Sequence, residues 1–333
     1  MQVLRDVPLA GLTTLGVGGP ADRVVEVEDV AELVAAVRAA DEAGRRLLVL
    51  GGGSNVVVAD GGWDGDVVAV RTRGITQTGE QLLVQAGEPW DDVVAYAVGH
   101  QLAGIEALSG IPGSTGATPV QNVGASGQEV AQTIVAVRVY DRVEKRERTL
   151  SPAECGFGYR DSRLKQDPGR LVVLEVTFAL DASELSRPIG YTELACRLGI
   201  EVGDRAGLGA VRSAVIELRR GKGMVLDPAD PDSRSAGSFF TNPIVAVERA
   251  AHGCPSWPAG PGEVKLSAAW LVQHAGFGRG TRQGNVGTSS RHSLALTTVP
   301  GATATELLAF ADRIVAAVQE QFGVTLIREP TAV

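Results

Sequence analysis

A chain of 333 residues with 44% hydrophobic and 21% charged residues has globular composition and predicts more than one lobe, because a single core seldom grows past ~250–300 residues. A formal net charge of -8 gives no electrostatic basis for nucleic-acid binding, which calls for clustered excess Lys and Arg, although local Arg, Lys and backbone N–H groups can still take an anionic small molecule. Cys155, Cys196 and Cys254 are odd in number and far apart, and His100, His252, His274 and His292 are isolated, so reduced thiols and no metal are expected.

Residues 1–15 lack a basic segment followed by an apolar stretch, and no apolar run approaches ~18 residues, so a cytoplasmic protein with no membrane partner is expected. Val24, Val25 and Val27 read as extended. Asp29 then stands as the N-cap of a helix carrying Val30, Leu33, Val34 and Val37 at helical spacing and ending at Gly44. The next strand, Leu47 to Leu50, runs into Gly51-Gly52-Gly53-Ser54-Asn55, after which Val56 to Val58 again read as extended. A Rossmann fingerprint would open a helix here, and this segment does not. Glycines between two extended segments form either an anion-binding nest or a plain turn.

Strands are predicted near Val67–Val70 and Leu82–Gln85, a helix from Asp91 to about Gln101, and strands over Ile134–Tyr140 and Leu171–Phe178, an α+β pattern. Between them lies a long glycine-rich stretch from Gly104 to Gly127, in which Ile105, Leu108, Ile111 and Val123 favour an ordered loop. It is either a ligand-approaching surface or a set of tight turns. Further on, a helix is predicted from Gly207 to Arg220, a Pro/Asp-rich loop from Asp227 to Ser235, a surface loop from Pro255 to Gly262 and a helix from Val264 to His274. Then come a strand from Ser293 to Thr298, a helix from Thr303 to Gln321 with Leu307, Phe310, Ile314, Ala317 and Val318 on its core face, and a closing strand from Val324 to Ile327.

Several segments, in order over almost the whole chain, carry a family likeness: Leu12-Thr13-Thr14 with Gly18-Gly19-Pro20-Ala21, Leu50 to Asn55, Gly110-Ile111-Pro112-Gly113-Ser114, Gln121-Asn122-Val123-Gly124-Ala125 and Tyr159-Arg160-Asp161-Ser162. It continues in Ala236-Gly237-Ser238-Phe239-Phe240-Thr241-Asn242-Pro243, Lys265 to Leu271 and Glu329-Pro330. On these motifs the chain resembles the UDP-N-acetylenolpyruvoylglucosamine reductase (MurB) family, in its longer subtype. The resemblance implies an α+β protein with a FAD-binding lobe of the vanillyl-alcohol-oxidase type and a smaller α+β substrate-binding lobe. The implied division is 1–65 and 66–225 for FAD, 226–320 for substrate, and 321–333 as a strand returning to the active site.

The implied reaction is reduction of UDP-N-acetylglucosamine enolpyruvate to UDP-N-acetylmuramate, with FAD as cofactor and NADPH as co-substrate, in peptidoglycan synthesis; the lack of a His or Cys anchor near the N-terminal glycine motifs points to noncovalent FAD, and a monomer is favoured over an oligomer without the sequence deciding between them. By the same resemblance Arg160, Ser238 and Glu329 fall on catalytic positions. Gly51, Gly52, Gly53, Ser54, Asn55, Gly110, Pro112, Gly113, Ser114, Gln121, Asn122, Gly124 and Ala125 fall on FAD positions, and Tyr191, Lys222 and Asn242 on substrate or nicotinamide contacts. The family's later substrate-lobe aromatic has no clear counterpart, Trp257 lying in the loop 255–262. Without the resemblance, Arg160 reads as an ion pair with Asp161 or Glu175, Ser238 as a turn entering an apolar strand and Glu329 as a solvated carboxylate. Another FAD oxidoreductase acting on a hydroxy acid or alcohol, or a non-catalytic nucleotide-binding module, are the competing functions.

Overall fold

The computed structural model describes residues 1–333 and shows an α+β chain that divides into two compact units. The first comprises residues 1–7, 21–53 and 63–220, the second 8–20, 54–62 and 221–333.

The first unit opens with β1 (Gln2–Pro8), β2 (Pro20–Val27), α1 (Val30–Glu42), β3 (Leu47–Leu50) and β4 (Trp63–Val70), in the sheet order β1-β2-β4-β3. β4 runs parallel to both β2 and β3. Val24, Val25 and Val27 are all buried, as a parallel strand covered on both faces requires. Asp29 caps α1 as predicted, its side chain accepting from Glu32 N at 2.8 Å, and Leu33, Ala36, Val37 and Ala40 form the buried stripe. A second, antiparallel sheet contains β5 (Ile75–Thr78), β6 (Gln81–Gln85), β7 (Ile134–Asp141), β8 (Arg146–Leu150) and β9 (Leu171–Ala179), in the order β8-β7-β9-β6-β5. One apolar core joins both sheets to α2 (Trp90–Gly99), with Trp90 tilted against Phe178 at 5.6 Å between ring centroids. A satellite cluster packs α3 (Thr192–Leu198) against α4 (Leu208–Gly221) through Leu194, Val211 and Val215.

In the second unit, β10 (Ser235–Ser238), Arg282–Gln283, Val286–Thr288 and Ala295–Thr298 form an antiparallel sheet under a 19-residue helix, Ala304–Phe322. Thr303 and Glu306 form that helix's capping box, and Leu307, Phe310, Ile314 and Val318 are its buried stripe, so the face predicted as core is core. Asp60 reinforces the same helix start by accepting from Ala304 N at 2.6 Å and Thr305 N at 2.9 Å.

Three expectations are corrected here. Pro255 to Gly262 is mostly a strand, Ser256–Gly260, paired with Glu263–Leu266; Pro258 is tolerated because this is an edge strand. The helix expected from Val264 begins only at Ala268, because Ser267 is its N-cap, accepting from Trp270 N at 3.3 Å. Val264 and Leu266 fit either periodicity over so short a run. Val324 to Ile327 forms no strand; the closing strand is Thr331–Ala332, paired in parallel with Val56–Val57.

Partial burial opposes ionisation of Asp60, but the Thr305 hydroxyl and the two N–H groups outweigh it and hold the carboxyl below its ordinary value. A depressed folded-state pKa stabilises above the unfolded carboxyl's pKa and stops doing so as the pH falls through the folded value. Asp60→Ala is therefore expected to cost about 0.5–1 kcal/mol in urea unfolding at neutral pH. The difference from the parent should shrink below the ordinary carboxylate range, about pH 4.

Candidate active site

In the first unit the two glycine segments predicted to hold a cofactor meet. Gly51 and Gly52 leave the carboxyl end of β3, and Gly53 turns the chain at φ 62°. A Cβ on Gly52 would stand 2.7 Å from the Gly113 Cα, and one on Gly51 would collide with the Ser114 Oγ. Only glycine lets these backbones approach so closely. Arg71 Nη1 donates to the Gly51 carbonyl at 3.0 Å.

The segment leading into α2 anchors the second loop. The Trp90 indole N–H donates to Leu108 O at 3.2 Å, the Trp90 N–H donates to Gly113 O at 3.0 Å, and Thr115 N donates to Glu88 O at 2.8 Å. Pro89 bridges Ser114, and Asp91 Oδ1 accepts from Gly110 N at 2.6 Å. Gly110 and Gly113 both have positive φ, 71° and 120°. Pro112 lies half-buried in this loop.

The third predicted segment is a tight hairpin. Gly124–Ala125 pairs with Gln128–Glu129 across Ser126 and Gly127, whose φ values of 50° and 88° suit a two-residue turn. Gln121, half-buried, precedes it. Asn122, itself at φ 46°, spends its side chain inside the protein: its amide donates to Glu129 Oε2 and Gly158 O, each at 2.9 Å, and its Oδ1 accepts from Ala131 N at 3.1 Å. Its side chain thus staples the loop.

Arg160 joins this hairpin, although it is distant in sequence. Its guanidinium donates to Asn122 O at 3.3 Å and to Gly124 O, and a Cβ on Gly124 would stand 2.9 Å from the Arg160 Nη1. Glu175, one partner considered for Arg160, is instead held by Arg138 at 2.6 Å and by Gln85 at 2.6 Å. Tyr191 stands beside the same hairpin, its Cβ 3.7 Å from where a Gly127 Cβ would lie. Its hydroxyl donates to Glu193 at 2.9 Å, and burial together with that carboxylate pushes its pKa up to about 12, so it remains a neutral donor.

In the second unit, Gly237 (φ 70°) lies within β10, where the pairing with Ala295–Thr298 is interrupted between Ser235 and Ser238. Ser238 is therefore the end of a bulged strand rather than a turn before one, and a bulge re-aims the side chain beside it. Glu329 N donates to Phe239 O at 2.9 Å and Phe240 bridges Arg328, which brings the Glu329 backbone beside Phe239, the residue after Ser238. Asn55 Nδ2 donates to Glu329 O at 3.3 Å, and Thr331 N donates to Asn55 O at 3.1 Å. Ser54 O accepts from Thr14 Oγ1 at 3.5 Å. Asn242 Oδ1 accepts from Ala268 N at 2.9 Å, so its oxygen also holds a helix start. Lys222 is half-buried in the turn after α4. Trp257, exposed by 48%, lies in the strand Ser256–Gly260 opposite Lys265.

Arg71, Asp91, Arg212 and Arg219, which hold the glycine loops, carry no motif that marks them for that part. Arg212 and Arg219 stand seven residues apart on α4, on one face of the helix, and that spacing was the available signal.

Residues 21–149 match the family model of a FAD binding domain, and the glycine loops lie in that span. The fold and these loops define a FAD-dependent oxidoreductase. Residues 228–333 match the C-terminal domain model of UDP-N-acetylenolpyruvoylglucosamine reductase. The chain is 52% identical to the reductase of that name from Thermobifida fusca, covering 99% of this chain and 97% of the relative, and 51% identical to that from Streptomyces coelicolor, covering 100% and 91%. The crystal structure of the Thermus caldophilus enzyme superposes with a TM-score of 0.70 at 28% identity, covering 100% of this chain and 99% of that one. The chain belongs to the UDP-N-acetylenolpyruvoylglucosamine reductase (MurB) family.

Gly52→Ala is expected to fold but to purify without flavin, because the added methyl group separates the two loops. The ratio of absorbance near ~450 nm to that at 280 nm, beside that of the parent protein, checks this.

Proposed function

We propose that this protein reduces the enolpyruvyl ether of UDP-N-acetylglucosamine enolpyruvate to the lactyl ether of UDP-N-acetylmuramate, using NADPH and noncovalent FAD, for peptidoglycan synthesis. The match of residues 228–333, which contain Ser238 and Glu329, to the reductase's C-terminal domain carries the proposal, because a general oxidase of hydroxy acids or alcohols has no need of a proton donor and a carboxyl group there.

The first unit fits FAD. The loops at Gly51–Gly53 and Gly110–Ser114 contain no carboxylate and no bulky side chain at their closest approach, so backbone N–H groups can face a pyrophosphate. Gly51 to Asn55, Gly110 to Ser114 and the Gln121–Ala125 segment would hold it. Bound there, FAD supplies a carrier that takes hydride from NADPH and delivers it to the substrate.

Hydride adds to the methylene carbon of the enolpyruvyl group, the double-bond electron pair moves to the carbon beside the carboxylate, and a proton must be added there. Arg160 binds the substrate carboxylate and stabilises the charge that grows on it, since guanidinium stays protonated and matches carboxylate geometry. Its two bonds to loop carbonyls hold the guanidinium in place beforehand. Ser238 donates the proton to the carbanionic carbon, and Glu329, protonated at that stage, helps to polarise the same carboxylate. Tyr191, as a neutral hydroxyl donor, Lys222 and Asn242 bind the diphosphate-sugar portion or the nicotinamide. On this reading residues 1–225 serve FAD, 226–320 bind substrate and 321–333 return Glu329 to the chemistry. No helix is long and apolar enough to cross a membrane.

The test is anaerobic stopped-flow. NADPH should bleach the flavin, and the enolpyruvyl UDP-sugar should restore its absorbance with formation of the lactyl product. Ser238→Ala should leave the first half-reaction unchanged and slow the second by ~10²–10⁴-fold. Flavin that reduces but is not reoxidised by this substrate in the parent protein would sink the proposal.

A further inference from the structure

Gly110 is gripped on both sides of its backbone by charged side chains. Its N–H donates to Asp91 Oδ1 at 2.6 Å, and its carbonyl accepts from Arg219 Nε at 3.2 Å. Asp91 is in turn held by Arg212 in a two-pronged pair, Nη1 to Oδ1 at 2.7 Å and Nη2 to Oδ2 at 2.8 Å. Two helices therefore converge on one glycine: α2 through Asp91 in its first turn, and α4 through Arg212 and Arg219.

Arg212, Arg219 and Asp91 are part-buried, and even partial desolvation of three charged groups is penalised where an ordinary turn would serve a structural loop. Burial pushes the pKa of Arg219 down to about 10, even with the Asp91 charge acting against it, so Arg219 is still a cation at neutral pH. Burial opposes ionisation of Asp91 too, but Arg212 and the Gly110 N–H hold its carboxyl below its ordinary value. Asp91 and the two arginines together carry one net positive charge. The Trp90 N–H fixes the other end of the same loop at Gly113, so both ends are tied to one helix turn. A two-pronged Arg–carboxylate pair sets orientation as well as distance, which a single contact does not.

We propose that Asp91 and Arg212 are positioning residues for FAD binding: by locking the Gly110 peptide they set the position and charge environment of the Gly110–Ser114 loop against the flavin. The proposal rests on the reading of that loop as a cofactor loop. Neither side chain need touch FAD; each acts through Gly110.

The experiment strips FAD from the full-length protein and returns it to the parent, Asp91→Asn, Arg212→Gln and Arg212→Lys, measuring Kd by quenching of flavin fluorescence. The thermal midpoint of each apoprotein is recorded alongside, and titrations are run well below it. Asp91→Asn and Arg212→Gln are expected to raise the Kd for FAD about 10–100-fold, the range for losing a hydrogen-bonded charge. Arg212→Lys keeps the charge but not the two-pronged geometry and should fall between. Should Asp91→Asn fail to fold, the two Arg212 variants decide the matter. A merely structural clamp would lower the apoprotein midpoint and leave the Kd of the folded variants at the parent value, and that result overturns the proposal. A parent apoprotein that takes up no FAD overturns the cofactor reading of the loop and the clamp with it. A parent that binds beside variants of equal affinity overturns the clamp alone.

Discussion

The close approach of two glycine segments, Gly51–Gly53 and Gly113–Ser114, is the constraint on which the cofactor site depends. Gly51 and Gly52 cannot carry a Cβ at the contact, so on that side the approach is backbone alone, with its amides open to a ligand. What keeps the second segment there is the stretch from Glu88 to Asp91, which bonds it at Leu108, Gly110, Gly113 and Thr115. That stretch is rigid because Trp90 is buried in the core against Phe178. Core packing is thereby transmitted into the position of a polar loop, and a site built on a rigid element is more precise than one on a free loop.

In the second unit the end of the chain is tied to two segments far earlier in it. Thr331–Ala332 pairs with Val56–Val57, Glu329 N bonds Phe239 O, and Asn55 bonds the carbonyl of Glu329. Each of these ties is a backbone or amide bond, and together they fix where the Glu329 backbone lies. The bulge at Gly237 does the same for Ser238.

The elements that the sequence made legible were those whose periodicity and caps agree: α1 with Asp29, and Ala304–Phe322 with Thr303 and its buried stripe. The expectation of a helix from Val264 failed because two apolar residues fit a strand as well as a helix, and only Ser267 marks where the helix begins. The strand expected at Val324–Ile327 failed because buried alternation does not specify a hydrogen-bonding partner, and the partner strand pairs farther on, at Thr331. For the site, glycine spacing marked the loops, and family likeness marked Arg160, Ser238 and Glu329. The side chain of Asn122, one of the positions implied for FAD, also staples the loop, which its residue type did not reveal. Asp91, Arg212 and Arg219 went unread because a charged residue in a helix resembles any solvated one until its partner is known.

The most direct test of this account is the binding stoichiometry of FAD to the apoprotein, followed by flavin difference spectra as FAD is added to a known concentration of chain. The account predicts saturation at one FAD per chain, with the shifted and structured absorbance band of a flavin held in a rigid, water-poor site. Failure to saturate, or a spectrum identical to that of free FAD, would contradict the claim that the apposed glycine loops form a cofactor site.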